Sequence, residues 1–242
     1  MKNSSYLLLA VTCCVAFTSC KTTKLLEAPF EADAINSPPN KTLPGGPAGD
    51  EIIYHDVIVP QLKVQSSTIA GAKALAFTNI DVGNPPGSQR FVRFKAGETD
   101  LTKTVWFYYA AKNINASNDV IVDVGDGYGA AIARLRIEGS GKASVVKGSN
   151  WLEYEEIGNV GTGVHTVIFT TSLVSKTFNV TIFREGDTAL TKEGLPFIEQ
   201  DATQFKNPAR PTIAFTHTGI NGSHTYELGF VTISKKKPNN MP

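Results

Sequence analysis

Residues 176–183 read KTFNVTIF, and their pattern is the clearest indication of the fold. The apolar side chains of Phe178, Val180 and Ile182 alternate with polar side chains along it. A repeat of two predicts a β-strand with one dry face and one wet face. Strands of this kind are typical of antiparallel sheets that cover a core on one side.

The same alternation recurs upstream in residues 128–137, where Leu135 and Ile137 fall on one side and Arg134 and Arg136 on the other. Gly-rich turns separate many such runs at intervals of about 8–12 residues, which predicts an all-β, two-sheet antiparallel β-sandwich. Further strands are predicted over residues 104–111, 120–124, 164–171 and 226–234, with weaker candidates at 52–59, 90–95, 143–147, 152–157 and 212–215.

One segment departs from this pattern. Residues 68–80 contain the run AGAKALAF, which predicts a short helix because alanine, leucine and lysine are good helix formers. No fixed repeat runs through the chain, which argues against propellers and solenoids.

The N-terminal segment is typical of an exported protein. Lys2 supplies a positive charge, and residues 6–17 (YLLLAVTCCVAF) form an uncharged apolar run that is too short to span a membrane. The tetrapeptide at residues 17–20 (FTSC) resembles the lipobox of bacterial lipoproteins, with Phe at the position where Leu is usual. The alternative is ordinary signal cleavage nearby, which would leave Cys20 as a free thiol.

Cleavage before Cys20 divides the chain into three parts. Residues 1–19 are then the signal peptide, residues 20–49 a lipidated cysteine with a flexible Pro/Gly-rich linker, and residues 50–242 one β-sandwich domain. The mature chain keeps one cysteine, so a disulfide and a thiolate metal site are excluded. Several acyl chains hold a protein firmly on a bilayer, so a membrane is the first predicted partner.

The FTSC segment followed by a polar stretch also resembles lipoproteins of the Bacteroidetes. In that group, acidic residues after the cysteine tend to direct a protein to the cell surface. Here Lys21 and Lys24 follow Cys20, so the resemblance favours a periplasm-facing position on the outer membrane.

The charge balance gives the chain no overall attraction for nucleic acid. The sequence has 23 basic and 22 acidic residues, and removal of residues 1–19 takes away only Lys2, which leaves 22 against 22. A neutral protein does not bind polyanions through its net charge. The basic run of residues 235–237 near the C-terminus is predicted to be a solvated tail.

The order of the strands suggests a family. Between residues 104 and 234 an aromatic strand (TVWFYYAAK) is followed by DVIVDVGDGYG, a ladder ending in GSGKASVV, an aromatic-acidic stretch, a long hairpin and the closing TYELGFVTISKK. This order resembles the concanavalin A-like jelly roll of the laminin G and lectin/glucanase group. The resemblance covers about half of the chain and implies a fold more than a function.

The aromatic residues are the main candidates for ligand binding. Alternation places Trp106 and Tyr108 on one face of their strand and Phe107 and Tyr109 on the other, so one pair lines the core and the other is open to a ligand. We predict sugar stacking on Trp106, Tyr108 and Trp151. Polar side chains of the loop at residues 217–224, in particular Asn221 and His224, are predicted to bind hydroxyl groups, although an ordinary polar loop is the simpler interpretation.

Two acidic clusters suggest further chemistry. Asp123 and Asp126 offer hard oxygen ligands in a Gly-rich loop, which suits calcium, but Asp-Gly is also the usual composition of a hairpin turn. Glu153 and Glu155 share a strand face, and glucanases of this fold use a Glu-x-Asp-x-Glu run. Ile157 stands where the run needs its last acid, so no catalytic set is predicted.

The sequence therefore predicts a lipid-anchored envelope protein with a non-catalytic carbohydrate-binding β-sandwich. Two alternatives stay open: a glycoside hydrolase or polysaccharide lyase of the same fold, and a structural or protein-docking lipoprotein. Calcium is the one cofactor that the residues suggest.

Overall fold

The structure is a computed structural model that describes residues 23–43, 50–69, 71–83, 89–100, 103–114, 118–127, 131–148, 153–198, 209–219 and 224–237. A 3₁₀ helix spans Asp56–Gln61, and no helix in these ranges is long and apolar enough to cross a membrane. The strands are β1 (Lys24–Ala28), β2 (Glu51–Tyr54), β3 (Leu62–Ser66), β4 (Lys73–Thr78), β5 (Phe91–Lys95), β6 (Val105–Ile114), β7 (Val120–Gly125), β8 (Ala131–Ile137), β9 (Lys142–Val146), β10 (Tyr154–Asn159), β11 (Val164–Ser172), β12 (Thr177–Arg184), β13 (Leu190–Pro196), β14 (Thr212–His217) and β15 (Thr225–Ser234).

The strands of the described residues form two antiparallel sheets. Sheet A has the order β13-β12-β11-β6-β15-β4-β3, and β1 also pairs with β15. Sheet B has the order β10-β9-β8-β7-β14-β5-β2. The apolar faces of both sheets meet in one core, so the predicted two-sheet antiparallel β-sandwich is confirmed.

Alternation divides the aromatic strand β6 between the core and the outer surface. Phe107 and Tyr109 are buried, and the Tyr109 ring packs edge-on against Phe215 of sheet B with ring centroids 4.9 Å apart. Trp106 and Tyr108 are half-buried on the opposite face of sheet A. Phe107 and Tyr109 therefore lie in the core, and Trp106 and Tyr108 lie on the outer face of sheet A.

The predicted helix over residues 68–80 is wrong. Lys73–Thr78 is strand β4, which pairs with β3 on one side and with β15 on the other. Ala74 and Ala76, which favoured a helix, are buried on the outer face of the sheet. Pairing on both sides and burial on both faces outweigh the intrinsic preference of alanine for helix.

The N-terminal part of the predicted linker is a strand. In β1, Leu26 pairs with Ile233 of β15 and Ala28 with Val231, and both Leu26 and Ala28 are fully buried in the core. A short strand of this kind is stable because β15 satisfies its backbone groups and the core takes its apolar side chains.

The chain after β1 also belongs to the domain. Phe30 is 2% exposed and packs edge-on against Phe94 of sheet B, with ring centroids 6.0 Å apart. Its φ of 60° is rare for a bulky residue, so the packing holds it in an unfavourable conformation. The Asn36 amide donates to the carbonyl of Val64 at 2.8 Å. Residues 24–43 are thus folded, and the flexible linker predicted for this range is wrong.

We expect Leu26→Ala to lower the free energy of unfolding by about 2–5 kcal/mol, because it removes a fully buried side chain and leaves a cavity. Chemical denaturation of residues 21–242 measures this change. The control is Lys24→Ala, which removes only an exposed ion pair and is expected to cost less than about 1 kcal/mol. Equal stability of Leu26→Ala and the unmutated chain would show that this segment is a spacer.

Candidate functional site

A groove of about 700 Å³ lies on the outer face of sheet A, beside β1. The residues that define it chemically are Lys24, Glu27, Glu31, Tyr108, Phe230 and Thr232. We name it the β1 groove. Its volume falls within the range of about 300–1,000 Å³ that is typical of small-molecule sites.

The β1 groove exists because one edge of β15 changes its partner. Residues 225–228 of β15 pair with β4, whereas residues 231–234 pair with β1. A register shift between Leu228 and Phe230 marks the change, and Gly229, which has no side chain, lies at this point and lines the groove. The change of partner therefore leaves an opening between the ends of β4 and β1.

Two aromatic rings form one side of the β1 groove. Tyr108 of β6 and Phe230 of β15 are half-buried and meet edge to face, with ring centroids 5.7 Å apart. Trp106 lies on the same face of β6, opposite Ser234, which also lines the groove. The structure thus places Tyr108 in the groove and Trp106 next to it.

Charged groups line the rest of the β1 groove. Lys24 Nζ lies 2.6 Å from both carboxylate oxygens of Glu27, and this hydrogen bond raises the pKa of Lys24. The Glu31 carboxylate accepts a hydrogen bond from the amide of Ala72 at 2.8 Å, which fixes its position. The groove therefore combines apolar ring surface with strong hydrogen-bond acceptors and a cation.

Sequence reasoning missed Glu27, Glu31 and Phe230. The two glutamates fall in the segment that was predicted to be a linker. For Phe230 a signal was present, since the buried Val231 and Ile233 alternate with it and place it on the outer face. No local signal shows that β1 lies beside β15, because this pairing joins the two ends of the chain.

The structure gives no support to the predicted role of His224 in ligand binding, because its side chain is enclosed. Its side chain is fully buried at the opposite end of the sandwich, where Nε2 lies 3.3 Å from Oδ1 of Asn113. Its ring also packs against His217, with ring centroids 5.0 Å apart. The predicted residues Asn221 and Trp151 lie outside the described residues.

Buried histidines and tyrosines form a polar cluster inside the core. His165 Nε2 lies 2.9 Å from the hydroxyl of Tyr226, which donates to the hydroxyl of Tyr109 at 3.3 Å. Burial lowers the pKa of His165 to about 4 and that of His217 to about 3. These groups are enclosed and neutral, so they contribute to the structure and are not accessible to a ligand.

The outer face of sheet B is charged. Arg134 donates hydrogen bonds to both carboxylate oxygens of Asp123, at 2.6 and 2.8 Å. The Cζ atom of Arg93 lies 4.3 Å from the centroid of the Phe91 ring. Asp126 is buried near the end of β7. In the described parts of the chain no three His, Cys, Asp or Glu side chains are grouped to hold a metal ion. Asp123 is engaged by a guanidinium group, and the proposed calcium site gains no support.

The acidic pair Glu153 and Glu155, at the start of β10, does not form a catalytic arrangement. Glu155 is hydrogen bonded to Lys192 of β13, and this bond lowers the pKa of Glu155. A carboxyl group with a lowered pKa stays ionised at neutral pH and is a poor general acid. Glu153 is exposed, and its backbone carbonyl accepts a hydrogen bond from the amide of Lys147.

Several solved structures share this fold. The binding domain of botulinum neurotoxin DC in complex with SialylT is 13% identical over 90% of this chain and 49% of that chain, with a TM-score of 0.52. A carbohydrate esterase from Shiga toxin-encoding bacteriophage phi24B is 12% identical over 89% of this chain and 99% of that one, with a TM-score of 0.51. Peanut lectin with a 9mer peptide is 10% identical over 81% and 95%, with a TM-score of 0.50.

These similarities confirm the fold predicted from the sequence. The chain is a β-sandwich of the concanavalin A-like jelly-roll type, the fold of the legume lectins. At identities of 10–13% the similarity shows the fold alone. The chain spans about half the length of the botulinum neurotoxin binding domain. The sequence matches no protein-family model and no curated protein.

The buried histidines predict loss of stability in mild acid. An unfolded histidine binds its proton near pH 6.5, whereas His165 and His217 bind theirs near pH 4 and 3 in the folded chain. The unfolded state therefore binds more protons below pH 6.5, and the free energy of unfolding falls as the pH is lowered from that value. With two such groups the slope approaches about 2.7 kcal/mol per pH unit.

Denaturant titrations between pH 8 and 5 measure this slope, in a range above the titration of ordinary carboxyl groups. His165→Phe removes one titrating group and is expected to reduce the slope by about 1.4 kcal/mol per pH unit, whatever its effect at pH 8. A free energy of unfolding that stays constant from pH 8 to pH 5 would contradict the neutral buried histidines.

Proposed function

We propose that this chain is a lipid-anchored, non-catalytic carbohydrate-binding protein of a bacterial envelope, and that the β1 groove holds the sugar. The proposal rests on one observation. The rings of Tyr108 and Phe230 and the carboxylate of Glu27 line the same open groove. Sugar rings have apolar C–H faces that stack on aromatic rings, and their hydroxyl groups donate hydrogen bonds to carboxylates.

The size and exposure of the groove fit an oligosaccharide. A volume of about 700 Å³ is large enough for a small oligosaccharide, and the half-buried rings give it a surface to cover. Trp106, which lies next to the groove on the same face, extends this surface to a longer chain. Affinity is expected to be modest, because hydroxyl groups lose water when they bind.

The similar structures support the proposal only in general terms. One of them is named as a complex with SialylT and another as a carbohydrate esterase. Their identities of 12–13% transfer no residue role to this chain. Binding without catalysis is favoured because Glu155, one of the two predicted acids, is ion-paired with Lys192.

The anchor in this proposal is Cys20, attached to the outer membrane with the domain facing the periplasm. The order of charge, apolar run and small residues before Cys20 supports export and lipidation. Several linked acyl chains would hold the protein on the bilayer, since each buried methylene contributes about 0.8 kcal/mol.

The binding test uses residues 21–242, which contain every described residue. A glycan array identifies a retained polysaccharide, and calorimetry with that glycan compares variants. We expect Tyr108→Ala to weaken binding about tenfold or more, as truncation of a central aromatic anchor does. The matched control is Tyr154→Ala, a half-buried aromatic residue on β10 of sheet B that lies outside the groove.

Two outcomes count against the proposal. Retention of no glycan by the unmutated protein would remove the carbohydrate function. Equal affinity of Tyr108→Ala and the unmutated protein, with Tyr154→Ala also unchanged, would place the sugar site elsewhere. Circular dichroism of each variant checks that the sandwich is intact.

A further inference from the structure

The two ends of the described chain leave the sandwich at the same place. Lys24 of β1 lies opposite Ser234 of β15, and the amide of Lys235 donates to the carbonyl of Thr23 at 2.8 Å. The hydroxyl of Ser234 also bonds to both backbone groups of Lys236, at 2.6 and 3.1 Å. The backbone of Lys235 and Lys236 is therefore held near the start of β1, and the side chains of residues 235–237 are exposed, as predicted for a solvated run.

This position matters because of the anchor. Cys20 is four residues before Lys24, and four extended residues reach at most about 14 Å. If Cys20 carries lipid, as the proposed function requires, the start of β1 lies within that distance of the bilayer. The domain then lies against the membrane. The predicted 30-residue linker would instead have allowed it to move freely.

A hairpin at the same end of sheet A adds apolar surface. β11 and β15 flank β6, since Thr171 pairs with Val105 and Ser234 with Trp106. The turn between β11 and β12 therefore lies about 10 Å from the end of β15, two strand spacings away. Its Val174 is 80% exposed, the most exposed large hydrophobic side chain of the described residues.

The charges of this end are mainly positive. Lys176 of the hairpin and the lysines at 235–237 are exposed, and none of these four has an ion pair within the described ranges. Lys24 is paired with Glu27, and Glu31 is the other acid of the adjoining groove. We name the surface formed by Lys176, Lys235, Lys236, Lys237 and Val174 the lysine end.

We infer that the lysine end docks on anionic lipid headgroups of the membrane that holds Cys20. Phosphate groups complement the four exposed lysines, and Val174 is placed to enter the interface between headgroups and acyl chains. A single site of lipid attachment plus a basic patch is a known physical route to firm and oriented membrane binding. The β1 groove, which Lys236 and Lys237 also line, then opens beside the bilayer.

The test uses residues 21–242, without lipid, and sedimentation with vesicles. We expect binding to phosphatidylcholine vesicles that contain phosphatidylglycerol, little binding to pure phosphatidylcholine, and loss of binding at high salt. The triple change Lys235→Gln, Lys236→Gln and Lys237→Gln is expected to weaken binding about hundredfold, at about fivefold for each lysine. The matched control is Lys63→Gln, Lys112→Gln and Lys142→Gln, which removes the same charge away from the lysine end.

Each outcome decides the inference. Failure to bind anionic vesicles, equal binding to neutral vesicles, or equal loss in the two triple variants would overturn it. Val174→Ser is expected to weaken binding to the anionic vesicles at low salt. Because the assay needs neither lipidation nor sugar, its failure leaves the proposed function standing. The anchor is tested separately by membrane association of the full chain and its Cys20→Ser variant.

Discussion

The central constraint in this structure is that two short strands, β4 and β1, share one edge of β15. Strand β15 is ten residues long, and β6 pairs with it along one side. On the other side β4 takes the first half and β1 the second. This division brings the N-terminal segment into the sheet, opens the groove at Gly229 and fixes both ends of the described chain at one point.

The two ends of the sandwich differ in their chemistry for the same reason. At one end, histidine and asparagine side chains are buried and their polar atoms are enclosed, as for His224 and Asn113. At the other end the strands stop short of one another, and lysines, glutamates and aromatic rings remain open to solvent. We place the proposed binding function at the open end, because a buried and neutral histidine offers a ligand nothing to contact.

The strands with regular alternation could be predicted from the sequence. The pattern of β12 and β8 identified the sandwich, and that of β6 separated Trp106 and Tyr108 from Phe107 and Tyr109. Such patterns are local, and burial on one face is what produces them. The predictions were wrong where contacts between distant parts of the sequence determine the structure. Examples are β4, which is buried on both faces, and β1, which pairs with β15 about 200 residues later in the sequence. The enclosure of His224 was not predicted because the side chains that enclose it come from other strands.

The account depends on β1 being a true member of sheet A. Hydrogen exchange of residues 21–242, read at single backbone amides, tests this directly. We expect the amides of Leu26 and Ala28 to exchange as slowly as those of Val231 and Ile233, with which β1 pairs. Exchange of the β1 amides at the rate of an unfolded peptide, with β15 still protected, would contradict the account.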